Sequence, residues 1–324
     1  MNESSARSHR PTGRVLLCNI GRVGDTILRN SILDSVFRTY AAVDYLCGPG
    51  NFDVVRSDPR MDRVILLRNQ PGHFLSLFKQ ALRQRYEGYI DLKDHDSSTS
   101  LLIARLFRCG NKTGVNRPRN RPFHHDTRGV WVPGLHKVEV MKLIAGKAGL
   151  IPGEFRPALV CPPEAAAWFR AHHPQAGPFI LLNISATHPN RTWQAEKWIQ
   201  FLREVALPAW PIVVNAVPAD RPLAQQICAQ TPRTTLMHAR TFLEVAAAVA
   251  AARLVLTVNT GVIHACSAFD KPVVVLANGP DEIREFRPLS AWQLIIEAMN
   301  PLRVPDITLR EAVNAMNSRL PLQL

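Results

Sequence analysis

The sequence predicts an α/β protein in two halves, each an alternation of strands and helices. Three observations carry that fold class. Short apolar runs end at Gly- or Asn-bearing turns, the pattern of buried parallel strands. Segments of helical spacing follow most of these runs, and such alternation argues for a doubly wound sheet. The alternation stops at a proline-rich stretch and restarts, and 324 residues suit two domains of ~150 each.

Each element follows from its residues. Residues 14–20 (RVLLCNI) are an apolar run between Gly13 and Gly21, read as the first strand. After the turn 21–25, residues 26–40 place Ile27, Ile32, Val36 and Phe37 on one helical face. Residues 43–46, 64–67 and 89–92 read as strands, and 74–85 and 98–107 as helices. Residues 115–132, rich in Arg, Pro, Asn and His, read as a loop, and a helix over 136–150 closes the half. Pro152, Gly153, Pro157, Pro162 and Pro163 mark the linker. This division gives a disordered tail at 1–13, a first domain at 14–152, a linker at 153–163 and a second domain at 164–324.

The second half restarts with a helix over 164–172, a strand over 179–184, a helix over 195–205, a strand over 212–215 and a helix over 219–230. An Ala-rich helical stretch then leads into the strand 254–258 and the turn Asn259-Thr260-Gly261. A helix carrying His264 and a strand over 273–277 follow. The last helix, near 306–319, is expected to pack back on the first domain.

Composition narrows the function classes. No run of ~18 apolar residues exists to span a bilayer, and residues 1–13 lack the apolar stretch of a secretory signal. The six cysteines have no C-x-x-C spacing and read as reduced thiols, with Cys18, Cys161 and Cys266 in apolar surroundings. Lys and Arg total 39 against 26 Asp and Glu, a net charge of +13. That field favours polyanions or an anionic membrane surface. No nucleic-acid-binding signature accompanies it.

Five motifs carry chemistry. Gly24-Asp25 closes the turn after the first strand. A carboxylate there can take a proton from a hydroxyl nucleophile, or cap the following helix; the two roles are compatible. The turn is G-x-x-G, not the G-x-G-x-x-G dinucleotide fingerprint, which disfavours a nicotinamide oxidoreductase. Residues 183–193 hold Ser185, Thr187, Arg191 and Trp193, a polar loop whose hydroxyls and guanidinium suit phosphate oxygens; a solvated βα loop is the plain alternative. Asn259-Thr260-Gly261 opens a helix whose free N–H groups suit an anion, with His264 one turn on, either at the phosphate or in the packing. Lys93, His95 and Ser97 lie in the polar loop after the strand 89–92. Asp94, His95 and Asp96 lack recognised metal-ligand spacing. Arg117, Arg119, Arg121, His124, His125 and Arg128 form a basic run, either a solvated face or an anion site.

In chain order the Gly-Asp turn, the His136-Lys137-Val138-Glu139 helix start, the Arg191-x-Trp193 block and the Asn-Thr-Gly-to-His264 segment resemble glycosyltransferase family 9, the ADP-heptose:lipopolysaccharide heptosyltransferases. The resemblance spans about residues 14–300. It implies a GT-B fold, two Rossmann-like domains with an interdomain cleft, and a metal-independent inverting transfer with no cofactor. It assigns catalysis to Asp25 as base and Arg191 as the group stabilising the leaving diphosphate. It assigns donor binding to Ser185, Thr187, Asn259, Thr260, Gly261 and His264. Acceptor binding falls to Gly24, Lys93, His95, Ser97, Arg119 and Arg121. The implied partners are a nucleotide sugar, an anionic glycolipid and the cytoplasmic face of the inner membrane, where the enzyme would be peripheral; nucleic acid is not among them. Asn259 stands where the family usually has Asp, so another donor sugar, or a capsule or O-antigen acceptor, stays open. A non-catalytic polyanion binder is the reading from a different class.

Overall fold

The computed structural model describes residues 11–68, 70, 72–73, 77, 79, 81, 83–173, 177–186, 188, 191–298 and 303–320. The chain divides into two compact units, Met1–Ala158 and Leu159–Leu324. The division falls inside the proline-rich stretch expected as the linker. Its first part is held to the first unit: Glu154 N–H donates to Asp34 Oδ2 at 2.7 Å and Ala158 N–H to Ile27 O at 3.1 Å.

In the first unit, among the described residues, six strands form one parallel sheet. They are β1 (Arg14–Asn19), β2 (Ala42–Cys47), β3 (Arg63–Leu66), β4 (Tyr86–Asp91), β5 (Cys109–Gly114) and β6 (His125–Asp126), in the spatial order β3-β2-β1-β4-β5-β6. Strand alternation splits its apolar residues between two cores. Val15 and Leu17 join one, with Val36, Ile144 and Met141; Leu16 and Cys18 join the other, with Leu101, Ala104 and Phe107. The expected helix over 26–40 is corrected: it starts three residues earlier, and a 3-10 turn at Asn30–Ile32 separates Val23–Arg29 from Leu33–Thr39. The loop over 115–132 is also corrected, because His125–Asp126 pairs with β5 there. β5 itself (CGNKTG) escaped notice because it is polar, with exposed positions in its first half. The helix expected over 74–85 lies partly outside the described residues.

The second unit repeats the plan. β7 (Ile180–Asn183), β8 (Ile212–Asn215), β9 (Thr234–Met237), β10 (Leu254–Val258), β11 (Val273–Ala277) and β12 (Gln293–Glu297) are all parallel, in the order β12-β11-β10-β7-β8-β9. Counted within the unit, this is again the order 3-2-1-4-5-6 of a dinucleotide-binding fold. Both units are therefore Rossmann-like. Leu254, Leu256 and Val258 face one core, and Val255 faces the other. The last helix, Leu309–Arg319, places its buried Ala312 and Met316 in this unit's core. Cys18, Cys47 and Cys266 are buried thiols, whereas Cys161, expected among them, is half-buried.

Candidate functional site

An open doubly wound sheet binds ligands outside the carboxyl ends of its strands, where the strand order reverses. In the first unit that point lies between β1 and β4, and in the second between β7 and β10. The sequence motifs gather at these two points, each within its own unit.

At the first point β1 ends in buried Asn19. The helix Val23–Arg29 follows after a short turn, with Arg22 at its N-cap and no side-chain cap. Asp25 is thus inside the first turn and does not cap, which corrects that alternative. Its half-buried carboxylate makes no hydrogen bond or ion pair to a described residue. Gly24 beside it is half-buried. The turn rests on buried polar groups. Asn19 Nδ2 donates to Thr26 Oγ1 at 3.1 Å, and Asn51 Nδ2 donates to Asn19 O at 2.8 Å and to Thr26 Oγ1 at 2.9 Å. These bonds fix the backbone that presents Asp25.

Arg29, one helical turn beyond Asp25, donates from Nη1 to Asn19 Oδ1 at 2.9 Å and reaches Asp94 Oδ1 at 3.4 Å. Asp94 lies just past β4 and also accepts from Lys137 Nζ at 2.7 Å. Lys137 opens the helix Lys137–Lys147, whose N-cap His136 accepts the Val138 N–H on its ring Nδ1. The three charges are mostly buried, with side chains 8%, 7% and 13% exposed for Arg29, Asp94 and Lys137. Burial raises the Asp94 carboxyl, but the Lys137 hydrogen bond and the Arg29 charge outweigh it and hold it at about 2. Neighbouring Asp91, fully enclosed, is pushed up by burial, against the Lys93 N–H that donates to its Oδ1 at 3.1 Å.

The remaining acceptor candidates surround this cluster. Lys93 Nζ lies 3.3 Å from Ser97 Oγ, and His95 Nδ1 lies 3.0 Å from Asp94 Oδ1. Arg117 Nε donates to Asp96 Oδ2 and its Nη1 to Ser98 Oγ at 3.1 Å, tying the basic run to the same loop. Arg119 and Arg121 are exposed at the turn closed by the Arg117–Asn120 bridge. Asp94 and Asp96 are therefore ion-pair partners, and among the described residues no group of His, Cys, Asp and Glu could hold a metal ion.

At the second point the described hydrogen bonds join amides and hydroxyls. β7 ends in Asn183, whose Nδ2 donates to Thr257 Oγ1 at 3.0 Å on β10 and to Thr260 Oγ1 at 3.3 Å. Asn215, at the end of β8, donates from Nδ2 to Asn183 Oδ1 at 2.7 Å. Ser185 is buried and its Oγ accepts the Val217 N–H at 2.9 Å. Thr260 is the N-cap of the helix Gly261–Ala268 but makes no side-chain cap. Of the first N–H groups of that helix, that of Ile263 donates to Thr260 O at 3.1 Å; those of Gly261 and Val262 precede the first intrahelical acceptor and suit an anion. Asn259 is buried and its own N–H donates to Leu276 O at 3.1 Å. His264 is also buried, its ring centroid 6.3 Å from that of Phe286. Arg191 is half-buried. Trp193 beside it is in the core and donates from Nε1 to Val304 O at 2.9 Å. Thr187 lies outside the described residues.

Sequence reasoning gave no role to Asn19, Arg29, Asn51, Lys137 or Asn215. One signal was present: β1, β7 and β8 are apolar runs that each end in Asn. A polar residue closing a buried strand needs a partner, and here the partners lie on neighbouring elements.

The family model described as glycosyltransferase family 9 (heptosyltransferase) matches residues 74–306. A search of curated protein sequences finds no match. Among solved structures, the chain is similar to a glycosyl transferase family 9 protein from Veillonella parvula, at 16% identity over 95% of this chain and 97% of that one, TM-score 0.80. It is similar to E. coli heptosyltransferase WaaC with ADP-2-deoxy-2-fluoro heptose, at 18% identity over 94% and 99%, TM-score 0.73. E. coli ADP-heptose lps heptosyltransferase II resembles it at 16% identity over 94% and 98%, TM-score 0.72. At these identities the structures show the fold, which is GT-B.

Proposed function

Since the chain belongs to glycosyltransferase family 9 and is a glycosyltransferase, we propose that it moves heptose from ADP-heptose to a lipopolysaccharide inner-core acceptor with inversion. The observation that carries this reading is Asp25. It is a carboxylate at the switch point of the first sheet, free of any described hydrogen-bond partner, on a turn fixed by buried Asn19, Thr26 and Asn51.

The acceptor hydroxyl passes its proton to Asp25 as its oxygen attacks the anomeric carbon. The bond from that carbon to the diphosphate oxygen breaks, and the electron pair leaves with ADP. Arg191 and the N–H groups of Thr260, Gly261 and Val262 meet the charge that develops on the diphosphate. Ser185 and Thr187 are assigned to the donor, and Lys93, His95, Ser97, Arg119 and Arg121 to the acceptor. No step is routed through a metal. The excess of basic residues suits an anionic glycolipid at the cytoplasmic face of the inner membrane. Among the described residues no helix is long and apolar enough to cross a membrane.

Mass spectrometry of Kdo-lipid A incubated with ADP-heptose tests the reading. A heptose-sized mass gain that Asp25→Asn largely removes supports it. No gain with that acceptor, nor with a core already carrying heptose, sinks it. Asn259 favours a second reading, in which the donor is another nucleotide sugar. An amide keeps the hydrogen bonding of Asp but not its charge. A panel of nucleotide sugars separates the two.

A further inference from the structure

We propose that the segments after β5 and β6 form a docking face for an anionic phospholipid bilayer, with Trp131 and Val132 entering the headgroup layer; the inference deepens, and rests on, the reading of a lipid-borne acceptor. Three observations lead there. The first is exposed apolar surface on a fixed tip. Trp131 and Val132 are 37% and 52% exposed, although Val130 before them is in the first unit's core and Leu135 after them packs against it. Turns close the tip: Val130 N–H donates to Thr127 O at 3.2 Å, and Leu135 N–H to Val132 O at 3.1 Å. The Trp131 ring is held as well, with Lys137 Nζ 5.1 Å from its centroid. Two apolar side chains thus stay in water on a segment that is anchored at both ends. Trp suits a headgroup layer, because its ring is apolar and its N–H can donate to a polar group.

The second observation is charge. From Val115 to Lys137 the chain carries five basic residues, Arg117, Arg119, Arg121, Arg128 and Lys137, and one acidic residue, Asp126. Asp126 pairs with Arg128, and Asp96 from the loop after β4 pairs with Arg117. Arg119 and Arg121 are exposed and make no ion pair to a described residue. Exposed basic residues beside an apolar tip complement a surface of anionic lipid headgroups. A polynucleotide would satisfy the arginines alone and leave Val132 in water. The third is position. β4, β5 and β6 are parallel neighbours, so the segments that follow them leave from one end of the sheet. Asp25 follows β1 at that same end. Strands lie ~4.8 Å apart, which puts the β6 edge about 14 Å from β1. A bilayer on that edge presents a lipid-anchored sugar to the end of the sheet that carries Asp25.

Two measurements on the full chain, without donor or acceptor, test the face. Flotation reads binding to vesicles of equimolar phosphatidylglycerol and phosphatidylcholine. The chain is expected to float with them, to stay behind with pure phosphatidylcholine, and to be released by added salt. Trp131→Ser and Val132→Ser should each lower the partition coefficient ~5-fold or more through lost apolar burial. Leu289→Ser, at an exposed leucine of the second unit, should leave it unchanged. Val132→Ser keeps the ring beside Lys137, so its effect cannot come from disturbing that lysine. Quenching of Trp fluorescence by acyl-brominated phosphatidylglycerol reads insertion. Trp131→Phe keeps an aromatic ring at the tip and should remove most of the quenching. A wild type that does not float, flotation unchanged in both serine variants, or quenching undiminished in Trp131→Phe overturns the proposal. Retention by a polynucleotide without flotation overturns it too, and assigns the arginines to nucleic acid. A wild type that floats and is quenched as expected but transfers no heptose defeats the substrate reading and supports the face.

Discussion

The two switch points share one strand order but not one chemistry. The first is charged: Arg29, Asp94 and Lys137 meet there, with Asp91 enclosed and Asp25 at the rim. The second is built from amides and hydroxyls, Asn183, Asn215, Thr257 and Thr260. The difference matches the work assigned to each. Removing a proton from a hydroxyl needs ionisable groups held in fixed protonation states. Holding an anion needs donors whose field no nearby carboxylate cancels. Helix starts do not divide in the same way. Thr241 and Thr308 complete capping boxes with Glu244 and Glu311, whereas Arg22 and Thr260 provide no side-chain cap. Ser97, Gln194 and Asp220 provide none either, so a missing cap alone does not mark a switch point.

The comparison can be broken at its strongest claim first. Asp25→Asn should lower kcat by ~10²–10⁴-fold while the thermal unfolding midpoint stays near that of wild type. A variant with nearly full activity would remove the first point from the chemistry. Next, Asp94→Asn leaves Arg29 and Lys137 facing each other without their shared counter-ion. Breaking a buried pair costs about 3 kcal/mol or more, read from urea unfolding at neutral pH. Asn183→Asp, the converse experiment, puts a carboxylate among these amides and hydroxyls. Donor KM should rise ~10-fold, equivalent to ~1.4 kcal/mol, as measured by initial rates against donor concentration; an unchanged KM would show that the point does not face the diphosphate.

Smaller effects sharpen the picture. Thr241→Ala should cost ~1 kcal/mol of stability by deleting a cap and leave donor KM alone. Thr260→Ala has no cap to lose and should act on donor KM instead, so the two alanine variants should separate stability from binding. Last comes pH. The folded Asp94 sits at about 2, below its ordinary value of ~3.9. Its stabilising contribution is therefore complete above the unfolded value and is lost as pH falls through about 2. Unfolding measured between pH 5 and pH 2 should show this component in wild type and not in Asp94→Asn.

Much of the fold was legible because buried parallel strands are apolar on both faces. Leu254–Val258, Val273–Ala277 and Ile212–Asn215 stood out for that reason, at the bounds expected for them. β5, β6, β9 and β12 did not, being short, polar or half-exposed strands toward the sheet edges. The Gly24-Asp25 turn, Ser185 and Asn259-Thr260-Gly261 were visible because glycine and hydroxyl residues interrupt apolar runs. Arg29, Asp94 and Lys137 carried no such mark. A charge in a helix reads as solvent-facing until its partner is known, and these partners are 65 and 43 positions apart in the chain.

The sequence by itself determined the alternating α/β plan, the division near the proline-rich stretch and the turns that carry the chemistry. All of these are written in local periodicity and in residue types that punctuate it. The tertiary structure decided which turns share a switch point and which charges neutralise one another. Those outcomes depend on strand order, which brings β1 beside β4 and β7 beside β10. Strand order follows from the packing of the whole sheet, and no local window of residues contains it.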